Sequence, residues 1–204
     1  MTSSDHAPLN AKHLTITAPS PWVCRFAPLI RQGGDVLDVA CGGGRHARYL
    51  LHRGHPVTML DRDVEPVRDL AVDSRAEIIE ADLEIGDPLP LEGRRFAAIV
   101  VVNYLYRPLL PQLIDHLDQQ GVLIYETFAR GNERFNRPRN PDHLLKSGEL
   151  LEIVRERLQV VAYEHGIVDE GVLPGVKQRI CAVKTPPAPD RDDGEPEPVR
   201  LFSQ

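Results

Sequence analysis

The chain has 204 residues, of which 42% are hydrophobic and 26% charged, and a formal net charge of −6 at pH 7. That length suits one domain able to bury a substantial core, and the acidic balance argues against a broad nucleic-acid footprint, which needs a basic stripe. Cys24, Cys41 and Cys181 form no C-x-x-C pair, which points to a reducing compartment and no metal site.

No apolar run approaches the ~20 residues of a membrane span, and Met1 to Lys12 has no apolar core of the signal-peptide kind. A cytoplasmic protein with no membrane partner is expected. Residues 1–18 read as a flexible segment, 19–185 as the folded domain, and 186–204 as an acidic, proline-rich tail without fixed structure. The apolar Val199-Arg200-Leu201-Phe202 is the part of that tail able to dock.

The first element is a short helix around Ser20-Pro21-Trp22-Val23. Trp22 has two readings, a ring closing over cofactor or substrate and an amphipathic anchor for the helix. Val36 to Val39 reads as a buried strand, followed by Ala40-Cys41-Gly42-Gly43-Gly44 and a helix opening at Arg45-His46-Ala47. A turn this tight needs residues without a Cβ, and the helix start offers free N–H groups to an anion. Gly42-x-Gly44-x-x-Ala47 also fits the loose dinucleotide fingerprint. Asp38 at the strand end separates the two cases. Beside a pyrophosphate it would meet like charge, whereas an amino-acid cofactor brings an ammonium for Asp38 and a carboxylate for the helix N–H groups. The competing role for Asp38 is a carboxylate that only orders the turn. His46 is either a contact for that cofactor carboxylate or an ordinary helix residue.

Gly54 reads as the helix C′ residue. Pro56 to Leu60 forms the second strand and ends at Asp61, where a carboxylate can accept both ribose hydroxyls or merely cap the next helix, predicted from about Val64 to Arg75 with Asp63 as its cap. Arg62 is grouped with the cofactor-binding residues. Glu77 to Ala81 is the third strand, followed by Asp82-Leu83, a carboxylate for an adenine amine and an apolar cover for its ring. Glu80 and Glu84 compete with Asp82 for that role. Phe96 to Val102 is a strand buried on both faces, and it opens into Asn103-Tyr104-Leu105-Tyr106. Asn103 and Tyr104 are the expected groups at the reacting centre, and Asn103 also belongs with the cofactor-binding set; its competing role is to end the strand by bonding its own backbone. Tyr106 joins the expected substrate contacts.

A helix is predicted over Leu109 to Leu117 and a fifth strand over Val122 to Phe128. Ala129 to Lys146 is long for a connector and reads as a lid, with Arg137 and Asn140 contributing to acceptor recognition; the alternative is a solvated excursion. Arg130, Arg134, Arg137 and Arg139 leave a local basic rim there. Ser147 is the expected cap of a helix to about Arg157. Gln159 to Glu164 and Gln178 to Lys184 read as a final antiparallel pair, their connection being too short for a helical crossover.

Asp38/Gly42/Gly44, Asp61, Asp82-Leu83 and the opening at Asn103 occur in order at strand ends. In this the chain resembles the class I S-adenosylmethionine-dependent methyltransferases. Thr127 to Glu133, Arg137 to Pro141 and Leu144 to Leu150 are similar to the bacterial group that includes tellurite-resistance methyltransferases, as is Ser20 to Val23. Ala40 departs from the pattern, standing where many members have the first glycine of the turn. The resemblance implies an α/β, doubly wound, Rossmann-like, seven-stranded and mostly parallel sheet with an antiparallel last strand. It implies S-adenosyl-L-methionine as cofactor, held by Asp38, Ala40, Gly42, Gly44, His46, Asp61, Arg62, Asp82, Leu83 and Asn103. The expected reaction is methyl transfer to a small-molecule acceptor, such as a thiol or a chalcogen oxyanion, in a monomer or weak homodimer. The Asn/Asp-Pro-Pro-aromatic motif of many amino-group methyltransferases is absent, which weakens adenine, cytosine or glutamine nitrogen as acceptor. Rival readings are a non-catalytic cofactor-binding partner or sensor, an RNA or protein methyltransferase docking through the arginine loop, and a nicotinamide-dependent oxidoreductase.

Overall fold

The computed structural model describes residues 16–86, 88–169, 174–186 and 193–201. Most of the N-terminal segment and part of the tail therefore lie outside the described residues. Helix α1 spans Pro21–Phe26, β1 Val36–Val39, α2 Arg45–His52, β2 Val57–Asp61, β3 Ala76–Glu80, β4 Phe96–Val102, α3 Leu110–Asp115, β5 Leu117–Phe128, α4 Glu149–Val154, β6 Gln159–Val168 and β7 Gly175–Val183. The strands form one seven-stranded sheet in the order β3-β2-β1-β4-β5-β7-β6. The first five are parallel, and β7 runs antiparallel to both β5 and β6. This is the α/β, Rossmann-like sheet with an antiparallel last strand.

Strands β1 and β4 are buried along their whole length, as expected of parallel strands covered on both faces. Alternate residues supply two cores. Leu37, Val39, Ile99, Val101, Leu123 and Tyr125 face α3 and α4, while Val36, Met59, Ala98, Val100 and Ile124 face α1 and α2. Trp22 is fully enclosed in the second core, edge-on to Phe26 at 4.6 Å, and its Nε1–H donates to the Ile180 carbonyl at 3.2 Å. The anchor role of Trp22 is the one this packing supports.

Helix α2 buries Ala47, Leu50 and Leu51 and ends as predicted at Gly54, whose φ is 91°. The Gly54 N–H bonds the Leu51 carbonyl and the His55 N–H that of Leu50, the paired bonds that close a helix around a left-handed residue. Several predicted elements differ in extent. The helix expected over Val64 to Arg75 is a 3₁₀ segment, Glu65–Val72, with Pro66 in its first turn. Asp63 accepts the Glu65 N–H, as expected of it. The helix expected from Leu109 is shorter, α3 being preceded by a 3₁₀ turn at Arg107–Leu109. Strand β5 starts at Leu117 because Gln120, at φ 61°, absorbs a register shift that keeps the polar Asp118 to Gly121 in the strand. Helix α4 is capped by Gly148 at φ 76°, not by Ser147. Strand β6 continues past Glu164 to Val168, paired with β7 except for a register shift at Val161. In the tail, Val199 packs against the α1/α2 core.

Candidate active site

The chain order reverses beside β1, whose neighbours are β2 and β4, and ligands in open α/β sheets bind at such a switch point, outside the carboxyl ends of the strands. A cavity of about 310 Å³ lies there, walled by Ala40 and Gly42 after β1, Asp61, Arg62 and Asp63 at and after β2, Ala81 to Glu84 after β3, and Asn103 and Tyr104 after β4. A second cavity of about 160 Å³ shares Ala40, Gly42, Asn103 and Tyr104 with it and adds Ile16, Cys41, Gly43, Arg45, His46 and Val102.

The turn after β1 owes its shape to two left-handed residues. Ala40 has φ 51° and Gly42 φ 53°, a region costly for a residue with a Cβ. Gly44, at φ 70°, serves packing: a Cβ there would meet Val67 Cγ1 at 2.6 Å. It lines neither cavity. Asp61 closes the turn from across the sheet. Its Oδ2 accepts the Gly42 N–H at 2.8 Å and its Oδ1 accepts the Asp63 N–H at 3.1 Å. Each oxygen keeps a further lone pair for a ligand. Asp82 Oδ1 accepts the Glu84 N–H at 2.9 Å, and half-buried Leu83 beside it lines the same wall.

Asp38 is buried behind the turn and accepts the Ala47 N–H at 3.1 Å. It lines neither cavity. Burial, only partly offset by that hydrogen bond and by Arg45, pushes its carboxyl up to about 7. His46 is buried with an unpartnered Nε2. Burial, with the charges of Arg45 and Lys177, pushes it down to about 3, so the imidazole is neutral. Burial likewise raises the Cys41 thiol well above its ordinary range and keeps it protonated. The Tyr104 hydroxyl is buried without a hydrogen-bond partner among the described residues and is held protonated by burial and nearby carboxylates.

Asn103 ends β4 in the left-handed region at φ 58°. Its N–H donates to the Glu126 carbonyl at 2.8 Å, and its Oδ1 accepts from Lys177 Nζ at 3.3 Å. Lys177 in turn pairs with Glu126 Oε1 at 2.8 Å, and Glu126 Oε2 forms an ion pair with Arg179 Nε at 2.7 Å and accepts from Ser20 Oγ at 3.2 Å. The antiparallel register sets Arg179 opposite Glu126 and Lys177 opposite Phe128. Arg45 Nη1 donates to the Ala18 carbonyl at 3.1 Å, which fixes the strand of chain carrying Ile16 over the smaller cavity.

The structure thus brings Ala40, Gly42, His46, Asp61, Arg62, Asp82, Leu83, Asn103 and Tyr104 to cavity walls. Trp22, Tyr106, Arg137 and Asn140 line neither of these two cavities, and Trp22 borders a separate one with Arg25, Glu164 and Arg179. Tyr106 packs against the core on the α3/α4 side. Arg137 and Asn140 are exposed, and the Asn140 side chain accepts the Asp142 N–H at 3.0 Å. The loop that carries them is fastened by Arg107, which donates to Glu149 at 2.6 Å, to the Asp142 carbonyl at 2.6 Å and to the Leu144 carbonyl at 2.9 Å. Arg45, Glu126, Lys177 and Arg179 were not anticipated. The signal for Lys177 was a polar run, Lys177-Gln178-Arg179, beside the apolar Ile180 to Val183 that feeds the two cores.

Residues 36–121 match the family model described as a methyltransferase domain. No curated protein matches the sequence significantly. Among solved structures, TehB from Haemophilus influenzae superposes with a TM-score of 0.68 at 18% identity, covering 83% of this chain and 63% of that one. A TehB-like S-adenosylmethionine-dependent methyltransferase from Corynebacterium glutamicum gives 0.56 at 21% identity, over 80% of this chain and 86% of that one. The glycopeptide N-methyltransferase MtfA, in complex with S-adenosyl-L-homocysteine, gives 0.56 at 19% identity, over 79% and 88%. The chain spans 63% of the Haemophilus protein it resembles.

Proposed function

We propose that this chain, which carries a methyltransferase domain with S-adenosylmethionine as its cofactor, transfers the methyl group to a small molecule whose accepting atom is soft and already ionised. The residues fit the cofactor. The larger cavity presents Asp61 and Asp82 as acceptors for hydroxyl and amine groups, Leu83 as an apolar wall, and the bare backbone of Gly42. Asp38 lines neither cavity and, in this reading, would act on the cofactor's ammonium from behind the turn.

The smaller cavity carries the proposal. Among the described residues no carboxylate lines it, and its imidazole is too weak a base to take a proton from a neutral nucleophile near pH 7. An acceptor that arrives deprotonated needs no base. The cofactor, when bound, supplies a methyl carbon activated by a sulfonium. The chain's contribution is then orientation and exclusion of water. Asn103 and Tyr104 stand at the junction of the two cavities, and Ile16 covers it under the Arg45–Ala18 strap.

Incubation with methyl-labelled cofactor and a set of small thiols and chalcogen oxyanions, alongside a size-fractionated cell extract, tests this. Label is expected in the small-molecule fraction. Label in RNA or protein would move the acceptor class, and no label with intact cofactor binding would favour a sensor.

A further inference from the structure

We propose that Lys177 is a positioning residue that turns the Asn103 amide so that its NH₂ group faces the cavity junction, making that junction a donor site selective for an anionic acceptor. This deepens the methyl-transfer reading and rests on it. An ammonium has only donors. Its 3.3 Å contact with Asn103 therefore takes the amide oxygen, and the reversed amide would set NH₂ against a buried cation. The amide nitrogen is left on the other side of the side chain. Among the described residues Nδ2 has no hydrogen-bond partner, and Asn103 lines both cavities.

Lys177 is itself rigidly placed. Only 6% of its side chain is exposed, Glu126 holds it at 2.8 Å, and its Nζ lies 5.1 Å from the Phe128 ring centroid. Glu126 is paired with Lys177 and Arg179 and accepts from Ser20, so two cations oppose its charge. On the smaller cavity's side of the junction the charged lining among the described residues is cationic, whereas the carboxylates Asp61, Asp63, Asp82 and Glu84 line the larger cavity on the other side. Arg45 lines the smaller cavity, and the Tyr104 hydroxyl is a protonated donor without a partner. Burial first, and then the charges of Arg45 and Lys177, depress the proton affinity of His46. An amine acceptor would need an oxygen to receive its proton and to offset its developing charge. Among the described residues the smaller cavity offers no carboxylate for that, whereas an anion finds donors in the Asn103 amide and Arg45.

The test uses the full chain saturated with S-adenosylhomocysteine, with saturation established by calorimetry. Sodium thiocyanate serves as a soft monoanionic probe and dimethyl sulfide as a neutral one. The Asn103 NH₂ pair and the Tyr104 backbone amide are followed by nuclear magnetic resonance. Thiocyanate is expected to shift both signals saturably and dimethyl sulfide to leave them unmoved. In Lys177→Met/Glu126→Gln, which removes one charge of each sign, the apparent thiocyanate affinity should fall at least about fivefold, and Lys177→Arg should recover most of it. Equal thiocyanate affinity in the double variant, or an equal response to dimethyl sulfide, overturns the proposal. If the double variant does not fold, Asn103→Asp decides, because it keeps a partner for Lys177 and removes the donor: the Tyr104 response should vanish, and its persistence refutes the inference. Failure of S-adenosylhomocysteine to bind would instead sink the cofactor reading.

Discussion

The carboxylate at the end of β2 holds the turn at the end of β1: Asp61 Oδ2 accepts the Gly42 N–H at 2.8 Å. One side chain therefore both shapes the turn and presents its remaining lone pairs to the larger cavity. Asp61→Ala should act on both. Affinity for S-adenosylhomocysteine, by calorimetry, is expected to fall at least about tenfold, since charged hydrogen bonds are worth roughly 1.5–3 kcal/mol each. The ligand-free protein should also lose about 1–2 kcal/mol in denaturant unfolding, because the Gly42 and Asp63 N–H groups lose their acceptor. Reduced stability with unchanged affinity would leave Asp61 a turn brace alone.

Ala40 sits at φ 51°, where many members of the resembled family carry glycine. Ala40→Gly relieves the left-handed strain but frees the unfolded chain, and the two effects, each about 0.5–1 kcal/mol, nearly cancel. Ala40→Val places a β-branched residue at that φ and should cost about 1–3 kcal/mol. Paired denaturation curves check the contrast. A Val variant as stable as wild type would mean that the turn relaxes out of this conformation.

Asp38 predicts a pH signature. Its folded pKa is about 7 against an ordinary 3.8. Between those values the folded chain holds a proton that the unfolded chain has released. Stability therefore falls as pH rises through that window and levels off above 7. Asp38→Asn should remove this slope. If the cofactor's ammonium approaches Asp38, binding favours the ionised form and expels the proton. Calorimetry of S-adenosylmethionine near pH 6 in buffers of different ionisation enthalpy should then show proton release, absent in Asp38→Asn. Binding without proton release would limit Asp38 to ordering the Ala47 N–H.

Trp22→Ala should cost about 3–5 kcal/mol, as large aromatic truncations in cores do, because the ring is enclosed and its Nε1–H is spent on Ile180. Affinity for S-adenosylhomocysteine in the folded variant should stay within a few fold. A stable variant with a lost acceptor site would restore the substrate role.

What the sequence made legible was local. Strands β1 to β4, the glycine turn, Gly54 and the carboxylates within β1, at the end of β2 and after β3 follow from apolar runs broken by turn residues, and these patterns need no knowledge of distant partners. The Glu126–Lys177–Arg179 cluster was not legible, because it exists only through the register of β5 with β7, a pairing set across some fifty residues of chain. The start of β5 was hidden for a related reason. Asp118-Gln119-Gln120-Gly121 has turn composition, and only the bulge against β4 keeps it in the sheet. The loop after β5 was visible as long and polar, but its fastening by Arg107 was not, since the arginine lies in the preceding unit of the chain.

That fastening yields the last prediction. Arg107 reaches Glu149 at the start of α4 and the carbonyls of Asp142 and Leu144, so it pins the C-terminal half of the loop to the domain. Leu144 and Leu145 are buried just beyond, and Ala129 forms a bridge to Leu145. The exposed Arg134, Arg137 and Arg139 lie between these two anchors. Arg107→Ala removes one anchor and leaves the Glu149 carboxylate to the Lys146 N–H alone. Because the arginine is partly exposed, the loss should be modest, about 1–2 kcal/mol, but it should fall on local opening of the loop more than on global unfolding. Limited trypsin digestion is expected to cut at Arg134 or Arg139 faster in the variant, Arg137 being shielded by Pro138, while strand amides in β1 and β4 keep their hydrogen-exchange protection. Unchanged cleavage would show that the buried leucines hold the loop without Arg107.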